Sequence, residues 1–333
     1  MALSKHVQTI ISIRGQDRSL TDYVLRRIGH SVVVLAALLT LVFILTQSIG
    51  DPALLIAGSE ASPELVETIR QNLDLNDPLH ERFLAAAGGW LRGDFGESYW
   101  RSVPAMPLVL ARIPATLYLA AATIVIAVPV ALVSGTLAAT RPRSILDRSL
   151  TTISTIGIST PNFWLGLVLI LVVAVRLGWL PSSGIGGLGL SGIPYVILPA
   201  LTLGVRSMSR IAQMTRSSML DELAKPYITT AKAKGLSERA YVIGHALKNS
   251  SLPILTLAGD EVASIMNGVV IVETVFAWPG LGSLLIESIE QRDLPLVAAT
   301  VFVVATITIL VNLLVDLAYA KLDPRVRLAG AKV

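Results

Sequence analysis

Six stretches of this chain are apolar for about 20 residues each, the length a helix needs to cross the hydrocarbon core of a bilayer. They are Ile28–Ile49, Ala115–Ala139, Ile156–Leu177, Tyr195–Met214, Leu252–Phe276 and Leu296–Ala320, the fourth interrupted by Arg206 and Arg210. Charged residues make up only 15% of the 333, against roughly 25% in soluble domains. The alternating pattern of barrel strands is absent. The expectation is an all-α polytopic membrane protein with six transmembrane helices. The first run follows Arg26 and Arg27 and would rise about 33 Å as a helix, too long for the core of a cleaved signal peptide. It is expected to be a retained span. Pro129, Pro161 and Pro199 fall in or beside spans, where neighbouring helices can satisfy the freed backbone groups.

Lysine and arginine set the orientation. They gather before the first run (Lys5, Arg14, Arg18, Arg26, Arg27), after the second (Arg141, Arg143, Arg148), after the fourth (Arg216, Lys225, Lys232, Lys234, Arg239, Lys248) and in the tail (Lys321, Arg325, Arg327, Lys332). An even number of spans puts all four segments on one side, so both termini are expected in the cytoplasm. The opposite segments differ: Asp51–Pro114 carries nine carboxylates against five arginines, and Trp179–Pro194 is uncharged. The net charge of +4 is thus explained by topology rather than by nucleic acid. With no cysteine and four scattered histidines, neither a disulfide nor a metal site is expected.

These runs divide the chain into a cytoplasmic N-terminus with the first span (1–50), an extracytoplasmic segment (51–114), a five-helix core (115–320) with a cytoplasmic loop at 215–251, and a cytoplasmic tail (321–333). In the outer segment, Ser62 followed by Pro63-Glu64 is a helix-start signal, so this part is expected to be partly helical. The cytoplasmic loop has a different character. Ala231, Ala233, Gly235 and Leu236 stand among lysines; Gly235 can take the left-handed conformation that ends a short helix, and Ser237-Glu238 starts another. A basic helix can lie on anionic lipid, or it can fit a groove on a partner. The large apolar residues do not line up on one face, which favours the partner.

The loop residues Tyr227, Thr230, Ala231, Ala233, Lys234, Gly235, Leu236, Ser237, His245, Ala246, Leu247, Asn249, Leu252 and Pro253 resemble the loop of permease subunits of dipeptide and oligopeptide ABC importers. The likeness extends along the chain. It includes Gly93-Asp94-Phe95-Gly96 with Ser98, Pro114-Ala115-Thr116-Leu117, and Ser159, Pro161, Phe163 and Trp164. It continues through Leu177-Gly178-Trp179-Leu180-Pro181, Thr215-Arg216-Ser217-Ser218, and Glu273 and Phe276 with Trp278-Pro279-Gly280-Leu281-Gly282. At the end it takes in Asn312-Leu313-Leu314, Asp316, Tyr319 and Leu322-Asp323-Pro324-Arg325. The resemblance implies the type I ABC importer permease fold in a bacterial cytoplasmic membrane. It also implies that the segment Thr230, Ala231, Lys232, Ala233, Lys234, Gly235, Leu236 and Ser237 docks on a cytoplasmic ATPase. Ala231 and Gly235 match the second alanine and the glycine of the general signature EAA-x-x-x-G, whereas Thr229 and Thr230 replace its glutamate and first alanine.

Ionisable residues inside spans are costly and point to function. At about 1.5 Å per residue, Asp260 and Glu261 lie some 12–14 Å from the start of the fifth span and Arg206 about 16 Å into the fourth. Two readings follow. One carboxylate faces the translocation pathway and meets a cationic group such as a peptide amino terminus, or Arg206 neutralises it. Glu273 and Asp316, nearer the span ends, are candidates for the pathway or for holding a helix end.

The sequence holds neither a phosphate-binding G-x-x-x-x-G-K-[ST] nor a catalytic constellation, so the chain is not expected to be an enzyme or to bind a cofactor. The family pattern places ATP and Mg on separate ATPase subunits. It adds a second homologous permease and an extracytoplasmic binding protein that delivers peptide. Two alternatives stay open: the same machinery carrying nickel, glutathione or another small solute, and a proton-coupled transporter using Asp260 or Glu261.

Overall fold

The computed structural model describes residues 27, 29–45, 52–58 and 61–322. Lys5, Arg14, Arg18, Arg26, Arg325, Arg327 and Lys332, the end of the first apolar run, and Asp323-Pro324 lie outside the described residues. Among these residues the chain is helical, without a β-strand. It divides into two compact units, residues 1–50 with 301–333 and residues 51–300.

The first unit holds α1 (Gly29–Leu45) and the C-terminal part of α14 (Leu294–Leu322), both predominantly apolar. Arg27 and Asp316 form an ion pair of 2.9 Å. Asp316 is thereby engaged within its own unit.

The second unit opens with the segment preceding the core, built from α2 (Pro52–Ala57), α3 (Pro63–Asn72), α4 (Leu79–Leu91) and α5 (Ala105–Leu110). Ser62 caps α3 as the sequence predicts, its side chain accepting the Leu65 N–H at 3.3 Å. The core helices follow: α6 (Ile113–Thr140), α7 (Ile145–Ser159), α8 (Asn162–Leu169), α9 (Ile193–Leu223) and α12 (Lys248–Val275). Three expected spans correspond to α6, α9 and α12, and a fourth to α14. Of these, α9 continues about two turns past Met214, because Thr215-Arg216-Ser217-Ser218 holds no helix breaker.

The expected span Ile156–Leu177 requires correction. It is a broken pair, α7 and then α8 continuing as a π-helix over Ile170–Arg176, bent by 111°. Pro161 is the cause. A proline disfavours helical backbone at the residue before it, and Thr160 is extended, with φ −81° and ψ 123°. Among the described residues, four helices are long and apolar enough to cross a membrane, or five if the bent pair counts as one.

At the centre, α9 touches α6, α7, α8 and α12. It approaches α6 closely because the facing stripe of α6 is small: Thr123, Ala127, Ala131, Gly135 and Ala138 are all buried. A Cβ on Gly135 would lie 2.5 Å from the Ala212 carbonyl. Small residues at such spacing let two membrane helices pack backbone to backbone. Similarly, α7 approaches α9 through Gly157, opposite Val205 and Ser209.

Candidate functional site

The predicted docking segment lies between α9 and α12. Residues Thr230 to Ala233 are in α10 (Pro226–Ala233). Lys234 caps it, and Gly235 turns the chain with φ +79°, the left-handed region that glycine enters without steric cost. The Gly235 and Leu236 amides close the helix end on the carbonyls of Lys232 and Ala231 at 3.0 and 3.2 Å. Ser237 precedes α11 (Glu238–Tyr241), which continues as a π-helix over Val242–Leu247 into α12.

The segment is seated from beneath. Ile228, 1% exposed, sits in an apolar cluster with Ala139, Met219, Val242 and Ala246. Beside it, the Tyr227 hydroxyl donates to Glu222 at 2.7 Å and accepts from Asn249 at 3.0 Å, tying the start of α10 to the end of α9 and the start of α12. Burial and the bond to Glu222 hold the Tyr227 phenol above its ordinary pKa. Lys225 bonds Glu222 at 2.5 Å. What this base presents is open: Thr230, Lys232, Ala233, Lys234, Gly235 and Ser237 are exposed, with Ala231 and Leu236 half-buried. The expected loop 215–251 thus narrows to residues 224–247 on two long helices.

The intramembrane charges are arranged differently from the sequence expectation. Glu261, 2% exposed, forms an ion pair with Arg210, not Arg206. The reason is register: α9 and α12 run in opposite directions, with Gly268 packed against Leu203. Moving from Gly268 to Glu261 therefore moves along α9 to Arg210, one turn beyond Arg206. Asp260 is exposed on the neighbouring face of α12, and Arg206 is exposed on α9.

Glu273 is separate from this group and fully buried. Its carboxylate accepts from the Thr116 hydroxyl at 2.7 Å and from the Gly282 and Ser283 amides at 2.6 and 3.2 Å. It therefore caps the N-terminus of α13 (Leu281–Glu290). Trp278, also buried, donates its indole N–H to the Ala115 carbonyl at 2.9 Å and stacks on Tyr118. Two separated motifs, Pro114-Ala115-Thr116-Leu117 and Trp278-Pro279-Gly280-Leu281-Gly282, are thus one hydrogen-bonded unit. The Gly93–Ser98 motif docks nearby: Ser98 donates to Asp293, whose other carboxylate oxygen accepts the Leu296 amide at 3.2 Å and caps α14. Burial and Asp293 push the neighbouring Tyr99 phenol above its ordinary pKa.

Four contributors were not assigned from sequence. Arg210 was legible only as an interruption of a span. Glu222 and Asp293 stand in no motif. Asp147, buried at the start of α7, holds Arg216 in a two-point ion pair at 2.5 and 2.8 Å, and nothing local in the sequence links them.

The described residues thus present an exposed helical turn, anchored at its base, on a core of long apolar helices. Residues 127–328 match the family described as "Binding-protein-dependent transport system inner membrane component", and residues 20–120 match its N-terminal counterpart. The chain belongs to this family, a group of inner-membrane transporter permeases. It is 41% identical over 309 residues, 92% of this chain and 99% of the relative, to the "Probable peptide ABC transporter permease protein y4tP" of Sinorhizobium fredii. It is 38% identical over 311 residues, 91% and 98% of the two chains, to the "Oligopeptide transport system permease protein AppB" of Bacillus subtilis. Over 307 residues, 92% and 99% of the two, it is also 38% identical to the "Glutathione transport system permease protein GsiC" of Escherichia coli K12. The fold resembles a chain in a solved structure of inward-facing conformations of the MetNI methionine ABC transporter, with a TM-score of 0.54 and 19% identity over 66% of this chain and 97% of that one.

Proposed function

We propose that this chain is a permease subunit of an ATP-driven importer of peptides, forming the pathway together with a second, homologous permease. The observation that carries this reading is the exposed turn Thr230–Ser237, which is held at its base by buried Ile228 and by the Glu222–Tyr227–Asn249 bonds. A segment that needed only to connect two helices would not require those anchors. One that must transmit a displacement to α9 and α12 does.

In this reading the chain crosses the membrane six times with both termini in the cytoplasm. Residues 1–50 form the N-terminus and first span, 115–320 the helical core, 321–333 the tail. The turn faces the cytoplasm and docks on one of two ATPase subunits. ATP and Mg bind to those subunits, and this chain binds no cofactor. Closure of the ATPase pair moves α10, and the permease pair changes the side to which the pathway opens. The outer segment 51–114 receives a binding protein loaded with substrate. Peptide is the cargo because the relatives named above are peptide, oligopeptide and glutathione permeases. Of the candidate pathway residues, Arg206, Asp260 and Glu261 belong beside the pathway, Glu261 through its pairing with Arg210. Glu273 serves the outer scaffold. An ATP-driven importer needs no proton site, so in this reading neither Asp260 nor Glu261 is assigned one.

The test is to co-express the chain with its neighbours, purify the complex and reconstitute it in liposomes. Peptide uptake that requires ATP inside and a loaded binding protein outside is the expected result. Uptake driven by a proton gradient without an ATPase subunit would refute the proposal.

A further inference from the structure

The outward faces of two packed helices differ in kind. On α6 the exposed side chains include Leu117, Val125, Val130, Val133 and Leu137, the composition of a face turned to hydrocarbon. On α9, beyond Ala200, the exposed residues are Arg206, Arg210, Ser217 and Asp221, with half-buried Gln213 between them. Their spacing of three, four or multiples of these puts them on one stripe. The stripe continues onto both neighbours. Exposed Asp260, Ser264 and Asn267 follow the same spacing on α12, joined to α9 by Arg210–Glu261. On α7, exposed Thr155 accepts from Gln213 at 3.5 Å, and with Ser159, Thr160, Phe163 and Trp164 it lines an open depression of about 500 Å³ at the α7–α8 bend.

A cationic side chain facing lipid near mid-membrane is strongly unfavourable, so such residues face water or a charged partner. Arg210 has Glu261. Among the described residues Arg206 forms no ion pair, and it projects from the same stripe. Resting on the importer reading above, we infer that the α7–α9–α12 wall faces the solute path and that Arg206 is its selectivity residue, engaging the carboxylate of the passing solute. The bend depression accommodates an adjoining apolar side chain; about 500 Å³ lies within the range of small-ligand pockets.

The chain has no cysteine, so thiol chemistry can test this in the reconstituted complex, with partner subunits freed of accessible cysteines. Arg206→Cys, Gln213→Cys and Asn267→Cys should react with a hydrophilic methanethiosulfonate far faster than Val125→Cys and Val133→Cys. Arg206→Cys should lower uptake of trialanine by about tenfold, the scale of one charge-assisted hydrogen bond. The aminoethyl reagent, which restores a cation, should recover uptake, and the sulfonatoethyl reagent should not. Labelling no faster than on α6 would mean the wall is covered by another subunit. Equal effects of the two reagents would mean that charge at Arg206 is irrelevant. Either outcome overturns the inference. ATP-driven uptake by the parent complex in the same liposomes keeps these failures distinct from failure of the importer reading.

Discussion

The motif residues at the two ends of the α6–α9–α12 core behave in opposite ways. Around Trp278 they are buried and bonded to each other: Thr116 and the amides of α13 converge on Glu273, and Trp278 reaches the Ala115 carbonyl. Around Gly235 they are exposed, and the base beneath them, with Tyr227, Ile228, Ala246 and Asn249, is tied down. Both sets are equally conspicuous as sequence motifs, yet one is used up in holding the chain together and the other is left exposed. Damage at the first end should therefore appear as instability, and at the second as lost coupling in a stable complex.

The largest effect is expected at Gly282. A Cβ there would collide with the Val270 backbone, which cannot rotate away as a side chain could. Gly282→Val should cost about 1–3 kcal/mol or more through overpacking, seen as loss of the monodisperse complex on gel filtration. An unaltered elution profile and melting temperature would show that this end tolerates disorder. Next comes Glu273→Gln. An amide leaves one of three donors unmatched and should cost roughly 1–3 kcal/mol. Its melting temperature should fall while ATP turnover per uptake event in surviving complex is unchanged; altered turnover would give Glu273 a role in transport.

At the other end, Gly235→Val meets open space but must hold a left-handed backbone, a strain of about 1–2 kcal/mol that the chain relieves by reshaping the turn. The complex should assemble and melt normally yet lose most ATP-driven uptake, and normal uptake would contradict the docking role. Tyr227→Phe removes the bridge between Glu222 and Asn249, worth about 1 kcal/mol. A several-fold fall in uptake with ATPase activity retained is the expected sign of looser transmission. The smallest effect belongs to Lys232→Ala. The ammonium stands 4.9 Å from the Tyr241 ring, an exposed contact worth only about 0.5–1 kcal/mol, so melting should barely move.

Much of this was legible in the sequence because it rests on local rules. Long apolar runs marked α6, α12 and α14, Ser62-Pro63 marked the start of α3, and Gly235 marked the end of α10. Pairings between distant helices were not legible. Choosing Arg210 over Arg206 as the partner of Glu261 requires the register of α9 against α12, which is set by the packing of Gly268 on Leu203. The bend at Thr160-Pro161 was written in the proline, but periodicity cannot tell a kinked span from a broken one. The union of the Thr116 and Trp278 motifs, 162 positions apart by number (278 − 116), exists only in the fold.

The most direct measurement is a crosslink from the tip of the docking turn. Lys234 is exposed beside Gly235, and Lys234→Cys would be the sole cysteine of this chain. In the purified, transport-active complex a short bifunctional thiol reagent should join it to an ATPase subunit, with a yield that changes when ATP binds. An active complex in which that cysteine is labelled freely but never captures an ATPase would show that the turn docks elsewhere, and the coupling role drawn from it would be wrong.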